Sequence, residues 1–248
     1  MIYIKSDDEI QVMRECGTLL ALMYDYLEPY VQPGISGLEL DKLAENFLLK
    51  NNAVPEQKGY KGFPSTLCVS INEQVIHGIP SKRKLKEGDI VGLDCTISLK
   101  GLMTDSARTF AVGTIGKKEK LLLERTEKAL YLGIDTVHSG MRVNEIGRVI
   151  EEYIKSFEYG IVRDFCGHGV GYDIHEEPTV LNYYSSRYRQ RLKENMVITI
   201  EPMINLGRDD VRVLSDDWTV ETIDKQPSCH FEHTIAVTEK GCEILTVK

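Results

Sequence analysis

Leu85-Lys-Glu-Gly-Asp-Ile-Val-Gly-Leu-Asp94 and Leu192-Lys-Glu-Asn-Met-Val-Ile-Thr-Ile-Glu201 are two versions of one pattern within a single chain. Each runs from a leucine through a Lys-Glu pair into an apolar stretch that ends on an acid. An earlier match has nearly the same offset: Val31-Gln-Pro-Gly34-Ile-Ser-Gly-Leu-Glu39-Leu40 against Val137-His-Ser-Gly140-Met-Arg-Val-Asn-Glu145-Ile146. A long period repeated only twice is no solenoid. It predicts one domain over residues 1–248, built from related halves of about 1–113 and 114–248. Asp94 and Glu201 occupy equivalent places, so the two acids are expected to face each other across a pseudo-twofold axis.

Each half reads as two helices followed by strands. Ser6-Asp-Asp-Glu9 has the spacing of a capping box and precedes Ile10, Met13, Gly17, Leu20, Tyr24 and Leu27, an amphipathic helix that Pro33-Gly34 should break. Ser36 and Glu39 cap a second helix with Leu40, Leu43, Phe47 and Leu48 on its apolar face. The second half repeats this over about 117–137 and 143–157, with Arg142 where the capping serine should be. The helices are segregated from the strands, which gives an α+β class with helices covering one face of an antiparallel sheet.

The strands carry the chemistry. From Val91 to Leu99 odd positions are apolar and even ones small or polar, the period of a strand with one buried face. A two-residue turn at Lys100-Gly101 sets Asp105 opposite Thr96, so Asp94 and Asp105 become diagonal neighbours within roughly 8 Å. Two carboxylates that close are unfavourable unless a cation lies between them. Alone, the pair fits two solvated aspartates on an exposed sheet face better than it fits a metal site. Other acids and histidines shift that balance: His77 before Gly78, His168 in Cys166-Gly-His-Gly, His175 in His-Glu-Glu-Pro178, Glu201 after an apolar run, and Glu232 in Phe231-Glu-His-Thr234. A charge closing an apolar strand needs a partner.

Composition excludes several classes. Of 248 residues 42% are hydrophobic and 27% charged, an ordinary globular balance, and the formal charge of −8 argues against DNA or anionic membranes as partners. No apolar run approaches the ~20 residues of a membrane span, and the first ten residues have no signal-peptide pattern. Six scattered cysteines without a Cys-x-x-Cys pair suit a reducing cytoplasm. Gly167-x-Gly169-x-Gly171 lacks the spacing of a dinucleotide loop.

Lys58-Gly-Tyr-Lys-Gly-Phe-Pro64, Ser70-Ile-Asn-Glu-Gln-Val-Ile-His-Gly-Ile-Pro80, the Asp94/Asp105 hairpin, the His168 and His175 motifs, Glu201-Pro-Met203 and Phe231-Glu-His-Thr234 together resemble the type I methionine aminopeptidases, over the whole chain and in order. The resemblance implies the pita-bread fold and an enzyme that removes N-terminal methionine from nascent polypeptides when the second residue is small. It implies two divalent ions (Co, Mn, Fe or Zn) sharing a water that attacks the scissile carbonyl. Asp94 would chelate one ion, His168 and Glu201 mainly the other, and Asp105 and Glu232 would bridge them. Glu201 would also act as base, His175 would steady the oxyanion, and His77 would serve the leaving nitrogen. Tyr60, Phe63, Cys68 and Trp218 would line the methionine pocket.

Two positions depart from that pattern: Gln57 stands where some members carry cysteine, and Ile174 where phenylalanine is common. No N-terminal zinc-binding or proline-rich extension precedes Met1 and no long insertion interrupts the second half, which favours the short bacterial-type type I form over type II. Prolidase or aminopeptidase P chemistry, and a non-catalytic pita-bread binding protein, are the competing expectations. A monomer is expected. The basic stretches 82–86 and 187–193 fall at equivalent places of the repeat, and suit either solvated loops or weak contacts to ribosomal RNA.

Overall fold

The computed structural model describes residues 1–248. In chain order, α1 (Asp7–Leu27) and α2 (Gly37–Lys50) precede β1 (Val54–Pro55), β2 (Cys68–Ile71), β3 (Gln74–Ile76) and the hairpin β4 (Ile90–Leu99) and β5 (Leu102–Ala111). The second half brings α3 (Lys117–Thr136) and α4 (Asn144–Ile154), then β6 (Gly160–Ile161), β7 (Gly167–Gly169), β8 (Glu176–Val180), β9 (Val197–Ile200) and β10 (Met203–Asn205). It closes with β11 (Val211–Val213), β12 (Val220–Thr222), β13 (Ser228–His230), β14 (Glu232–Val237) and β15 (Cys242–Ile244). The large sheet runs β1-β4-β5-β14-β9-β7-β8, with β2 also on β4 and β15 on β14. Its pairings are antiparallel, and two three-stranded sheets lie beside it. No helix is long and apolar enough to cross a membrane.

Local chemistry explains the helix starts. Ser6 and Ser36 both form full capping boxes, with Glu9 and Glu39 returning the bond to the cap backbone. The second half has no such device at its second helix: α4 begins after Val143, whose side chain caps nothing. α1 stops earlier than Pro33-Gly34 suggests. It ends at Leu27 because Glu28-Pro29-Tyr30 tightens into a 3-10 turn. The Lys100-Gly101 turn takes positive φ at both residues (52° and 81°), the twist that a two-residue hairpin needs, and it sets Thr96 opposite Asp105.

The helices form a layer under one face of the sheet. Leu20, Tyr24, Leu27 and Leu40 from α1 and α2 pack on Val91, Leu93, Cys95 and Ile97 of β4. Leu130, Ile134, Ile146 and Ile150 from α3 and α4 pack on Ile198, Ile200, Ile235 and Val237. Each such side chain contributes about 1.5–3 kcal/mol, so either cluster outweighs any one polar contact. The opposite face of β4 differs from the expectation of a solvated side. Thr96 and Ser98 are 1% and 2% exposed; the segment after β1 lies over them, with Gln57 bonded to Thr96 N–H and Glu56 to Ser98 Oγ.

One pair of hydrogen bonds is made twice, at positions that the two sequence matches align. Gly34 N–H donates to Leu85 O (2.8 Å) and Leu85 N–H to Ile35 O (2.7 Å). Gly140 N–H donates to Leu192 O (2.8 Å) and Leu192 N–H to Met141 O (2.9 Å). Isolated bridges join Ser36 to Lys84 and Arg142 to Arg191, again at matching places.

One glycine is fixed by close approach. A Cβ on Gly17 of α1 would lie 2.2 Å from Leu245 O, where the C-terminal segment crosses the helix. Gly17→Ala should therefore lower the melting temperature, although alanine is the better helix former by about 1 kcal/mol, since overpacking costs about 1–3 kcal/mol or more. A raised melting temperature in thermal unfolding would contradict that contact.

Candidate active site

Strand register decides which side chains meet. Asp94 on β4 pairs with Ala107 on β5, and Ala107 pairs with Glu232 on β14. Residues paired across antiparallel strands share a face, and Asp105 is two positions from Ala107, so Asp94, Asp105 and Glu232 all leave the sheet on the side away from the helices. His233 pairs with Ile200, so Glu201 at the end of β9 lies beside Glu232. Gly169 pairs with Ile198, and His168 N–H reaches Thr199 Oγ1 (3.2 Å), which brings His168 to the same side.

The ligand-capable atoms of Asp105, His168 and Glu232 lie within 4.8 Å of one another, all buried. His168 Nε2 is 3.6 Å from Glu201 Oε1 and 3.9 Å from Asp105 Oδ2. His168 Nδ1 meets Gly169 O at 2.9 Å, and a carbonyl can only accept, so Nδ1 carries the proton and Nε2 presents a bare lone pair to the carboxylates. Burial holds its pKa down at about 3, so the ring is neutral. Burial pushes Asp105 up to about 7 and Glu201 up to about 8. Asp94 and Glu232 are driven well above the carboxylate range by burial first and then by neighbouring acids.

These groups suit divalent metal. Asp105 Oδ1 and Glu232 Oε1 are buried without a hydrogen-bond partner, which costs about 1–3 kcal/mol per group and more when charged. Neutral imidazole and carboxylate oxygens form a mostly hard donor set, fitted to Mn²⁺, Fe²⁺ or Co²⁺ as well as Zn²⁺.

All eleven residues singled out by sequence, including Tyr60, Phe63, Cys68, His77, His175 and Trp218, line one cavity of about 220 Å³. Phe63 meets Trp218 edge-on (5.1 Å between centroids), and Trp218 meets His77 likewise (6.0 Å). His77 sits at φ 57°, and burial first, then the nearness of two other ionisable rings, His230 and His175, lowers its pKa to about 4. Tyr60 Oη lies 3.1 Å from His175 Nδ1. Gln57 accepts from Thr96 N–H (2.9 Å) and donates to Cys68 Sγ (3.0 Å), and Ile174 is buried on the cavity wall.

Two residues here escaped the sequence reading. Phe165 lines the cavity and meets His77 edge-on at 5.7 Å. His230 is 4% exposed, with Nε2 unpartnered and 3.6 Å from Glu201 Oε2. Its signal was parity, since it stands two residues from Glu232. For Phe165 no signal separates it from a core aromatic.

With this arrangement, the kinship is specific. Residues 11–239 match the model of metallopeptidase family M24. The chain belongs to that family, in its methionine aminopeptidase branch. It is 46% identical to methionine aminopeptidase 1 of Bacillus subtilis over 246 residues, covering 99% of each chain. It is 42% identical to the Escherichia coli methionine aminopeptidase, covering 100% of this chain and 94% of that one. The crystal structure of methionine aminopeptidase from Rickettsia prowazekii superposes with a TM-score of 0.97 at 42% identity, covering all of both chains. Prolidase from Pyrococcus furiosus shares the fold alone, at 24% identity and a TM-score of 0.80 over 65% of its chain. The pita-bread fold and a metal-dependent aminopeptidase activity thus hold, and the prolidase alternative gains no support.

The acids also predict a pH dependence. Between about pH 6.5 and 8 an unfolded chain has ionised carboxylates and histidines that go from about half protonated to neutral. The folded metal-free protein still holds protons on its raised acids, so it binds more protons than the unfolded chain. Its stability should therefore fall as pH rises through this window. Below about 6.5 the lowered histidines oppose that trend. Chemical denaturation of chelator-treated protein checks this; stability rising from pH 6.5 to 8 would contradict it.

Proposed function

We propose that this single-domain enzyme of two related halves removes N-terminal methionine from nascent polypeptides whose second residue is small. The observation that carries it is the sheet face of four buried carboxylates with His168 Nε2 among them, next to an aromatic-walled cavity. Asp94, Asp105, His168, Glu201 and Glu232 would hold two divalent cations. Such cations supply Lewis acidity that polarises a carbonyl and acidifies water.

The remaining roles belong to the chain's own side chains. Tyr60 Oη lies 3.1 Å from His175 Nδ1; in the tautomer where the hydroxyl donates, the ring proton lies on Nε2, where it would stabilise a developing oxyanion. Glu201 takes the proton of the attacking water. As the C–N bond breaks, that proton goes to the departing nitrogen, which His77 orients. Phe63, Trp218, Tyr60 and Cys68 offer the methionine side chain aromatic edges and a thiol, a favourable surface for a thioether. Turnover of Met-Gly, Met-Leu and Ala-Pro peptides tests the function. Release of methionine from Met-Gly alone is expected; equal cleavage of Met-Leu, or preference for the X-Pro bond, would overturn it.

We also propose a cytoplasmic monomer, since all six cysteines are free thiols, as a reducing compartment would keep them. The loops 82–86 and 187–193 are largely exposed and basic, and occupy matching places in the repeat. They suit weak, salt-sensitive contacts to ribosomal RNA. Replacing Lys82, Arg83, Lys84 and Lys86 by glutamate should reduce ribosome co-sedimentation at low salt and leave kcat on a tripeptide intact. Unchanged co-sedimentation would remove that loop from the account.

A further inference from the structure

Lys5 is a buried cation outside the acid cluster. Its side chain is 0% exposed, and Nζ lies 2.7 Å from Glu176 Oε2, itself on a side chain 2% exposed. Nζ also sits 4.1 Å from the ring centroid of Tyr172 and 4.9 Å from that of Tyr3, and the two rings meet edge-on at 5.0 Å. An ammonium removed from water needs such partners. The other Glu176 oxygen accepts Tyr172 N–H (2.6 Å) and Asp173 N–H (3.3 Å), so one carboxylate ties Lys5 to the backbone of the bend at 171–176.

The same bend is gripped at further points. Gly171 takes φ 147°, and a Cβ there would lie 2.4 Å from Lys5 Cε. Gly171 O accepts Met103 N–H at 2.7 Å. Tyr172 Oη donates to Glu9 Oε1 (2.5 Å), the carboxylate that also closes the capping box of α1. Lys5 is anchored in turn by its own N–H on Asn195 O (2.9 Å). His175 is the residue immediately before Glu176. Within the cavity its Nδ1 lies 3.1 Å from Tyr60 Oη, and its ring centroid is 4.4 Å from that of His168.

We propose that Lys5 is a positioning residue: through Glu176 it fixes the bend that aims His175 into the cavity, making the N-terminal strap part of the catalytic apparatus. The proposal rests on the role given to His175 above. Geometry of this kind acts on the transition state, and misplacement of a catalytic group by about 1 Å costs up to ~100-fold.

The test is a double-mutant cycle with Mn²⁺-loaded enzyme and a Met-Gly tripeptide, using Lys5→Met, His175→Ala and both together. Lys5→Met should lower kcat by roughly tenfold with KM changed less than about twofold, and should have almost no further effect once His175 is alanine. Hydrogen exchange should quicken at the Tyr172 and Asp173 amides and stay unchanged in β4, β5 and β14. Tyr172→Phe, a milder cut at the exposed end of the bend, should move kcat and exchange the same way by a smaller factor, whatever the folding of Lys5→Met. An equal kcat loss in the His175→Ala background, or unaltered exchange at both amides, would overturn the proposal. A His175→Ala enzyme with undiminished kcat would instead overturn the role of His175, and the amide exchange would still decide whether Lys5 holds the bend.

Discussion

Mutual repulsion among Asp94, Asp105, Glu201 and Glu232 is the constraint on which this molecule is organised. Two like charges 4 Å apart at an effective dielectric near 20 repel by about 4 kcal/mol, and the chain sets four such groups on one buried sheet face. No lysine or arginine pairs with any of them; the nearest basic side chains are His168 and His230, which burial keeps neutral. Protonation relieves the strain in the metal-free protein. Divalent cations relieve it while leaving the acids charged, and this turns a folding liability into affinity for metal.

The rest of the fold works to keep those acids where they would not choose to be. One apolar cluster beneath the sheet is built on α1 and α2 and the other on α3 and α4, and each backs strands that bear two of the four acids. Thr234 Oγ1 accepts from Asp105 N–H (2.9 Å) and donates to Asp105 O (2.7 Å), while Ser106 Oγ donates to Glu232 O (2.8 Å). These bonds lock β5 against β14 where the acids meet. Residues that would act on the substrate sit instead on the bend at His175, the turn at His77 and the loop of Trp218, which surround the rigid acids without belonging to the sheet.

Much of this was legible in the sequence because it is periodic or local. Alternation in β4 and the Lys100-Gly101 turn set the register of Asp94 and Asp105, and the capping boxes at Ser6 and Ser36 set the helix starts. Burial of Thr96 and Ser98 was not legible, since the cover comes from segments distant in sequence. His230 was missed because a histidine beside a cysteine carries no pattern of its own, although its parity with Glu232 pointed to it. The ion pair of Lys5 with Glu176 joins residues at opposite ends of the chain, and only tertiary packing shows that the first few residues bear on His175.

The central claim is that the four carboxylates and His168 form one cation site. Anomalous diffraction from crystals grown with Mn²⁺ tests it most directly. The account predicts two peaks among Asp94, Asp105, His168, Glu201 and Glu232, both lost when Asp105 and Glu232 are replaced by asparagine and glutamine. Manganese bound elsewhere, or peaks that survive both substitutions, would contradict it.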